Sequence, residues 1–196
     1  MVKTYIHAIL FFVLIFTACN GQIGKKSKAS NAECLKLNDS ALRYYARTQD
    51  PENALKIIDQ AIKCDSQNKS FIWNKCSFLG AAKRPKDLLK YVQQNENMLP
   101  KSTYLGILTE CYFYLKDTTN FNKCKSDLLL LLENECNVNH DENSLMSYLV
   151  VLKKYVSEEK MFQVLNSNKK VFTSPENMEN LKEFLKKKII TLKLQP

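Results

Sequence analysis

Glycine is scarce in this chain, 4 in 196 residues, and proline is little commoner at 5. The turns of β-rich folds draw heavily on both residues, so a many-turned β-sandwich is excluded at the outset. Histidine occurs twice and tryptophan once, at Trp73. Close-set ligand pairs such as C-x2-C or H-x3-H, which a zinc site needs, are missing. So are G-x-S-x-G, the P-loop, H-E-x-x-H and the dinucleotide fingerprint. The adjacent carboxylates Asp141-Glu142 and Glu158-Glu159 flank helical segments, where negative charge stabilises a helix N-terminus. We therefore expect no enzyme, no metal and no cofactor. Acidic residues are the minority sign, 20 against 29 Lys and Arg, for a formal charge of +9. The basic residues are scattered, and the densest group, Lys182, Lys186-Lys187-Lys188 and Lys193, reads as the solvated face of an amphipathic helix. Nucleic acid is not an expected partner. Long apolar runs are absent too. The longest, residues 8–16, falls far short of the ~20 residues that a membrane-spanning helix needs.

What remains is rich in Leu, Lys, Asn and Ser, with apolar residues at helical spacing throughout. An all-α fold follows, and the chain is long enough for a domain with a real core. In the C-terminal part, Leu145, Tyr148, Leu149, Leu152, Tyr155 and Val156 form a helical stripe, which Met161, Phe162 and Leu165 continue after Ser157-Glu158-Glu159. Ser174-Pro175-Glu176 opens a last helix with a cap and a first-turn proline. Leu181, Phe184, Leu185, Ile189 and Leu192 would be its buried face.

The N-terminus carries a different signal. Lys3 precedes the apolar run, and Phe16-Thr17-Ala18-Cys19 ends it with two small residues before a cysteine. These four residues resemble the lipobox of bacterial lipoproteins, with Phe16 where Leu is commoner. The resemblance implies a signal peptide over 1–18, cleavage after Ala18 and diacylation of the Cys19 thiol. Residues 19–32 would form a lipidated flexible tether, because Gly, Ser and Lys leave little to bury. The expected location is the bacterial cell envelope, in the outer membrane facing the periplasm, with the lipid on Cys19 as the membrane contact.

A pattern also recurs about every 34 residues, the length of a helix–turn–helix repeat. Residues 53–65 resemble the second helix of a tetratricopeptide repeat: Ala54 and Ala61 match its small positions and Ile58 the large one between them. Tyr45 matches the aromatic of the first helix. Asp50-Pro51-Glu52 fits the turn, with Asp50 as N-cap and Pro51 at the first helical position. One period on, 86–95 is the next second helix, with Leu88 replacing a small residue. A third unit runs over 102–136, where Leu105, Leu108 and Tyr112 match the first helix and Phe121 and Leu128 replace alanines. The resemblance implies antiparallel helical hairpins stacked as a short α-solenoid over 33–136. Residues 137–196 would then be C-terminal helices packed on the repeats, ending in a capping helix.

With Cys19 assigned to lipid, six of the 7 cysteines remain. In the hairpin arrangement, turns near Asp50 and Asp117 set Cys34 against Cys64 and Cys111 against Cys124. Both pairs are candidate disulfides in an oxidising compartment. Cys76 and Cys136 would stay thiols. The alternative is that all six are small buried apolar residues.

By the repeat pattern, Lys36, Asp39, Arg43, Trp73, Ser77, Glu110 and Phe113 would point into a concave groove, with Trp73 as its main anchor. The function so implied is a membrane-anchored, non-enzymatic adaptor that binds another envelope protein or a peptide. Two other readings stay open: a small-ligand or glycan-binding uptake lipoprotein, and an immunity or inhibitor lipoprotein with a cationic face for one acidic target.

Overall fold

The computed structural model describes residues 28–172 and 174–186. The 1–18 segment, Cys19 and the tether up to residue 27 lie outside the described residues, as do Ile189 and Leu192. Among the described residues every regular element is helical and no strand occurs. The protein is all-α, as the apolar spacing requires. None of the described helices is long and apolar enough to cross a membrane.

The chain divides into two compact units at Phe121/Asn122. The first contains α1 (Lys28–Thr48), α2 (Pro51–Cys64), α3 (Lys69–Ala81), α4 (Pro85–Gln94), a 3-10 turn (Glu96–Met98) and α5 (Lys101–Tyr114). Each of these α-helices packs on the next in sequence. Residues 28–32, expected in the tether, belong to α1. Once packing from Cys34 onward has nucleated the helix, extending it back through Ala29 to Ala32 costs little.

Local chemistry explains the starts. Asp50 caps α2, accepting the backbone N–H of Glu52 and Asn53 at 3.1 and 3.2 Å, and Pro51 occupies the first turn. Hydrogen bonds from Asn53 hold the Asp50 carboxyl below its usual range. Asn68 caps α3 through the Ser70 N–H, and Pro85 begins α4.

Burial then separates two kinds of helix. In α2, Ala54, Leu55, Ile58 and Ala61 form a single buried stripe, and α4 buries only Leu88 and Val92. In α3, by contrast, Phe71, Ile72, Asn74, Cys76, Phe78 and Leu79 are buried on several sides, and α5 is similar. A helix apolar nearly all round belongs inside a structure. Thus the first helix of each later pair is the more enclosed one.

The turns between paired helices repeat. Gln49, Lys83 and Lys116 each adopt positive φ, at 55°, 56° and 58°. They stand 33 to 34 residues apart and each ends the first helix of a pair. Arg84 and Asp117 then donate their N–H groups to Leu79 and Tyr112 carbonyls, closing Schellman turns at 3.1 and 3.0 Å. This conformation favours glycine, and glycine is what the chain lacks. Lys83→Gly and Lys116→Gly should each raise stability in urea unfolding, by about 0.5–1 kcal/mol net of the added freedom of the unfolded chain. Lys83→Val should lower it by about 1 kcal/mol or more. Gln49→Gly should be near neutral, because its amide also donates to the Tyr45 and Ala46 carbonyls.

Contacts between residues 32 to 36 apart join α1 with α3 and α2 with α4. The Asn74 side-chain amide donates to the Asn38 side-chain oxygen at 2.7 Å, with both residues buried. Tyr45 of α1 meets Phe78 of α3 with ring centroids 5.3 Å apart. Arg84, at the start of α4, pairs with Glu52, at the start of α2, at 3.1 Å.

The helix α6 (Thr118–Asn139) begins in the first unit and continues through the expected 136/137 boundary. In the second unit Cys124, Leu128, Leu132 and Cys136 are its buried stripe. That unit continues with α7 (Glu142–Tyr155), α8 (Glu158–Ser167), a 3-10 turn (Lys169–Val171) and α9 (Pro175–Lys186). Helices α7 and α8 pack together. Asp141 and Ser157 cap them, and Leu145, Tyr148, Leu149, Leu152, Met161 and Leu165 are buried. Val156, expected in the same stripe, is instead half exposed at 50%. It follows the last residue of α7 with φ −118° and ψ −86°, so it no longer shares the helix's register. Leu181 and Leu185 are buried on α9, and the Lys153 ammonium donates to the Leu185 carbonyl.

Candidate functional site

The first hairpin is closed by a disulfide between Cys34 and Cys64, whose Cα atoms are 5.5 Å apart. Cys34 is buried near the start of α1, while Cys64 is exposed at the end of α2. The second expected bridge is not made: Cys111 and Cys124 are both buried thiols. Counting residues from a turn gives the height of a cysteine along a hairpin but not the direction of its Cβ, which a disulfide also requires. Cys76 and Cys136 are buried thiols as well. Burial pushes the Cys76 thiol up to about 12, with the nearby Cys111 adding to it. Burial raises Cys111 to about 12 too. A thiolate is the reactive form, so these side chains act as small apolar residues.

The residues expected in a groove all belong to the first unit. Lys36, Asp39 and Arg43 are exposed on α1. Trp73 and Ser77 are half-buried one turn apart on α3, and the Ser77 hydroxyl donates to the Trp73 carbonyl at 3.1 Å. On α5, Glu110 is half-buried and Phe113 is 46% exposed. Phe113 sits in an aromatic group, with ring centroids 5.8 Å from Tyr114 and 5.6 Å from Phe121. Arg43, Ser77 and Glu110 follow one another at spacings of 34 and 33 residues on α1, α3 and α5.

Arg43, however, lines a recess that Trp73 does not share. Its walls are Ser40, Arg43, Tyr44, Arg47 and Thr48 of α1 with Ile57 of α2. The Tyr44 hydroxyl donates to Asp50 at 3.3 Å, fixing the ring beside the turn. The Thr48 hydroxyl donates to the Tyr44 carbonyl at 2.9 Å. Arg47 and Ser40 were not among the residues singled out from the sequence. Their signal was present in the spacing 36, 40, 43, 47, which lays one face of a helix, but it becomes informative only once the opposite wall is known.

A second recess lies between α3 and α4, lined by Lys75, Leu79, Arg84, Asp87, Lys90, Tyr91 and Gln94. Its charges are largely satisfied. Lys75 pairs with Asp59 at 2.7 Å and stands 4.5 Å from the centre of the Tyr91 ring. Arg84 pairs with both Asp87 and Glu52. The Tyr91 hydroxyl is buried without a hydrogen-bond partner among the described residues, and burial raises its pKa. Among the described residues no group of three His, Cys, Asp or Glu side chains could hold a metal ion. His140, exposed with φ 50°, precedes the Asp141 cap of α7.

What the arrangement offers chemically is therefore recognition by cations, hydroxyls and aromatic faces. No protein-family model, curated protein or solved structure matches this chain.

Proposed function

We propose that this protein is a non-enzymatic adaptor of the bacterial cell envelope, anchored by lipid at Cys19 and built as a short tetratricopeptide-like solenoid. The observation that carries the reading is the recurrence of a positive-φ residue at Gln49, Lys83 and Lys116, each just after the first helix of a pair. It is supported by the like-with-like contacts Asn38–Asn74 and Tyr45–Phe78, one period apart. Stacked hairpins present a continuous face of first helices, and such faces hold peptides or protein segments. Trp73, Ser77, Glu110 and Phe113 would contribute to that face. Two acyl chains on Cys19 would hold the protein stably, since one alone binds only reversibly. Tethering then raises the effective concentration for a partner on the same membrane, at the outer membrane's periplasmic side.

The test has two arms. Cells fed an alkyne-tagged palmitate should label the wild type in the membrane fraction, whereas Cys19→Ser should be unlabelled and leave that fraction. Labelling that survives in Cys19→Ser would overturn the anchor. In-cell crosslinking should recover a discrete partner with wild type and lose it with Trp73→Ala. A crosslinked set unchanged by Trp73→Ala would overturn the groove.

A further inference from the structure

We infer that the first hairpin carries a docking cleft for an extended acidic peptide segment, gripped by Arg43 and Arg47, with Lys36 and Ser40 in line. The inference names a partner's chemistry and so rests on the adaptor reading, but the recess that Arg43 and Arg47 line does not include Trp73.

The charge balance of this hairpin is the starting point. Each acid of α2 and its flanking residues is already engaged. Asp50 accepts from the N–H groups of Glu52 and Asn53, and from the Asn53 amide at 2.6 Å. Glu52 pairs with Arg84, and Asp59 with Lys75. Asp65 accepts the Gln67 N–H at 3.2 Å. Asp39, three residues after Lys36 and four before Arg43 on the same stripe of α1, is in no ion pair among the described residues. Lys36, Arg43 and Arg47 likewise form none. Lys36, Arg43 and Arg47 thus stand along α1 with no carboxylate of α2 answering them, and Asp39 lies among them.

Geometry selects the kind of anion. Residues 36, 40, 43 and 47 lie one above another, and at about 1.5 Å rise per residue Arg43 and Arg47 are roughly 6 Å apart along the axis. In an extended peptide, side chains on the same edge repeat about every 6.6 Å. Carboxylates at alternate residues would therefore meet successive guanidinium groups in register. Arginine presents a planar fork that takes a carboxylate through two parallel hydrogen bonds. The exposed Ser40 hydroxyl adds a polar contact, and Ile57 supplies an apolar wall opposite the row. A flat lipid surface has no such register, and it would meet cations on a convex face rather than in a recess between two helices.

The test is fluorescence anisotropy with the purified full chain in detergent and a labelled peptide of alternating Glu and Ser; the Gln–Ser peptide is the control. Saturable binding of the Glu peptide alone is expected. The Arg43→Gln/Arg47→Gln pair should weaken it about tenfold or more, because two charge-assisted contacts are lost. Arg43→Lys/Arg47→Lys, which keeps the charge and the fold, should weaken it about threefold through loss of the fork. Lys90→Gln and Trp73→Ala should leave it unchanged. Absence of saturable binding would overturn the inference, as would equal weakening by Lys90→Gln, which reports net charge only. Tighter binding to phosphatidylglycerol vesicles or a DNA oligonucleotide, lost in the same arginine variants, would also overturn it. Loss with Trp73→Ala but not with the arginine variants would move the peptide to the residues around Trp73. The cleft would then fail while the adaptor reading stood.

Discussion

Replacing both Cys34 and Cys64 by alanine should destabilise the protein by about 3.5 kcal/mol, the largest single effect we expect. The bridge closes a loop of sequence separation 30, and the chain-entropy relation gives about 3.5 kcal/mol for a loop of that size. Cys34 is 1% exposed, so a small cavity term adds to the loss on that side. The exposed Cys64 leaves the bridge open to reductant, which gives a second route to the same state. Urea unfolding of the wild type should shift to a lower midpoint when reductant is added, and the double variant should not respond. By contrast, Cys111→Ala/Cys124→Ala should respond to reductant as the wild type does, because those thiols are not bridged. A wild-type midpoint indifferent to reductant would show that Cys34 and Cys64 are unlinked in solution.

Asn74→Leu should cost about 2–3 kcal/mol, more than an exposed asparagine on a helix has any reason to. Its amide donates to Asn38 at 2.7 Å in a site where the two residues are 6% and 7% exposed. Removing one partner leaves a buried amide unsatisfied, and that desolvation penalty dominates the loss. Adding Asn38→Leu should recover most of the stability, because two apolar groups of similar shape need no hydrogen bond. The double-mutant cycle should therefore show a coupling of about 2 kcal/mol. If the two single losses simply add, the pair does not set the register of α1 against α3. A recovered double variant that is stable but broadens its amide NMR spectrum would show the pair acting on specificity more than on stability.

Much of the fold was legible because it is written locally. Asp50-Pro51 marks a helix start through a side chain and a ring that act on their own neighbours. Ala54, Ile58 and Ala61 mark a buried stripe through a periodicity of one helix, and all three are fully buried. The repeated turn was harder to see. Its three positive-φ positions carry Gln49, Lys83 and Lys116, residues that give no hint of the conformation glycine would have announced. Asn38 and Asn74 look like ordinary solvated polar positions, and only the packing of α1 on α3 makes them a buried pair. Of the site residues, Arg43 was legible as exposed and basic. Its neighbours Ser40, Arg47 and Ile57 were not, since a cleft needs two walls and the second lies on another helix.

By itself, then, the sequence determined the helical class, the starts of α2 and α9 and most of the buried stripes of α2, α7 and α8. Those properties depend on contacts within a few residues, where 3.6-residue periodicity and capping chemistry leave little freedom. The tertiary structure alone decided which cysteines are joined, which polar residues are buried together and which cations are left unanswered. Each of those outcomes depends on the direction in which two side chains project from separate helices. A rotation of one helix by a fraction of a turn would change all of them without altering a single local signal.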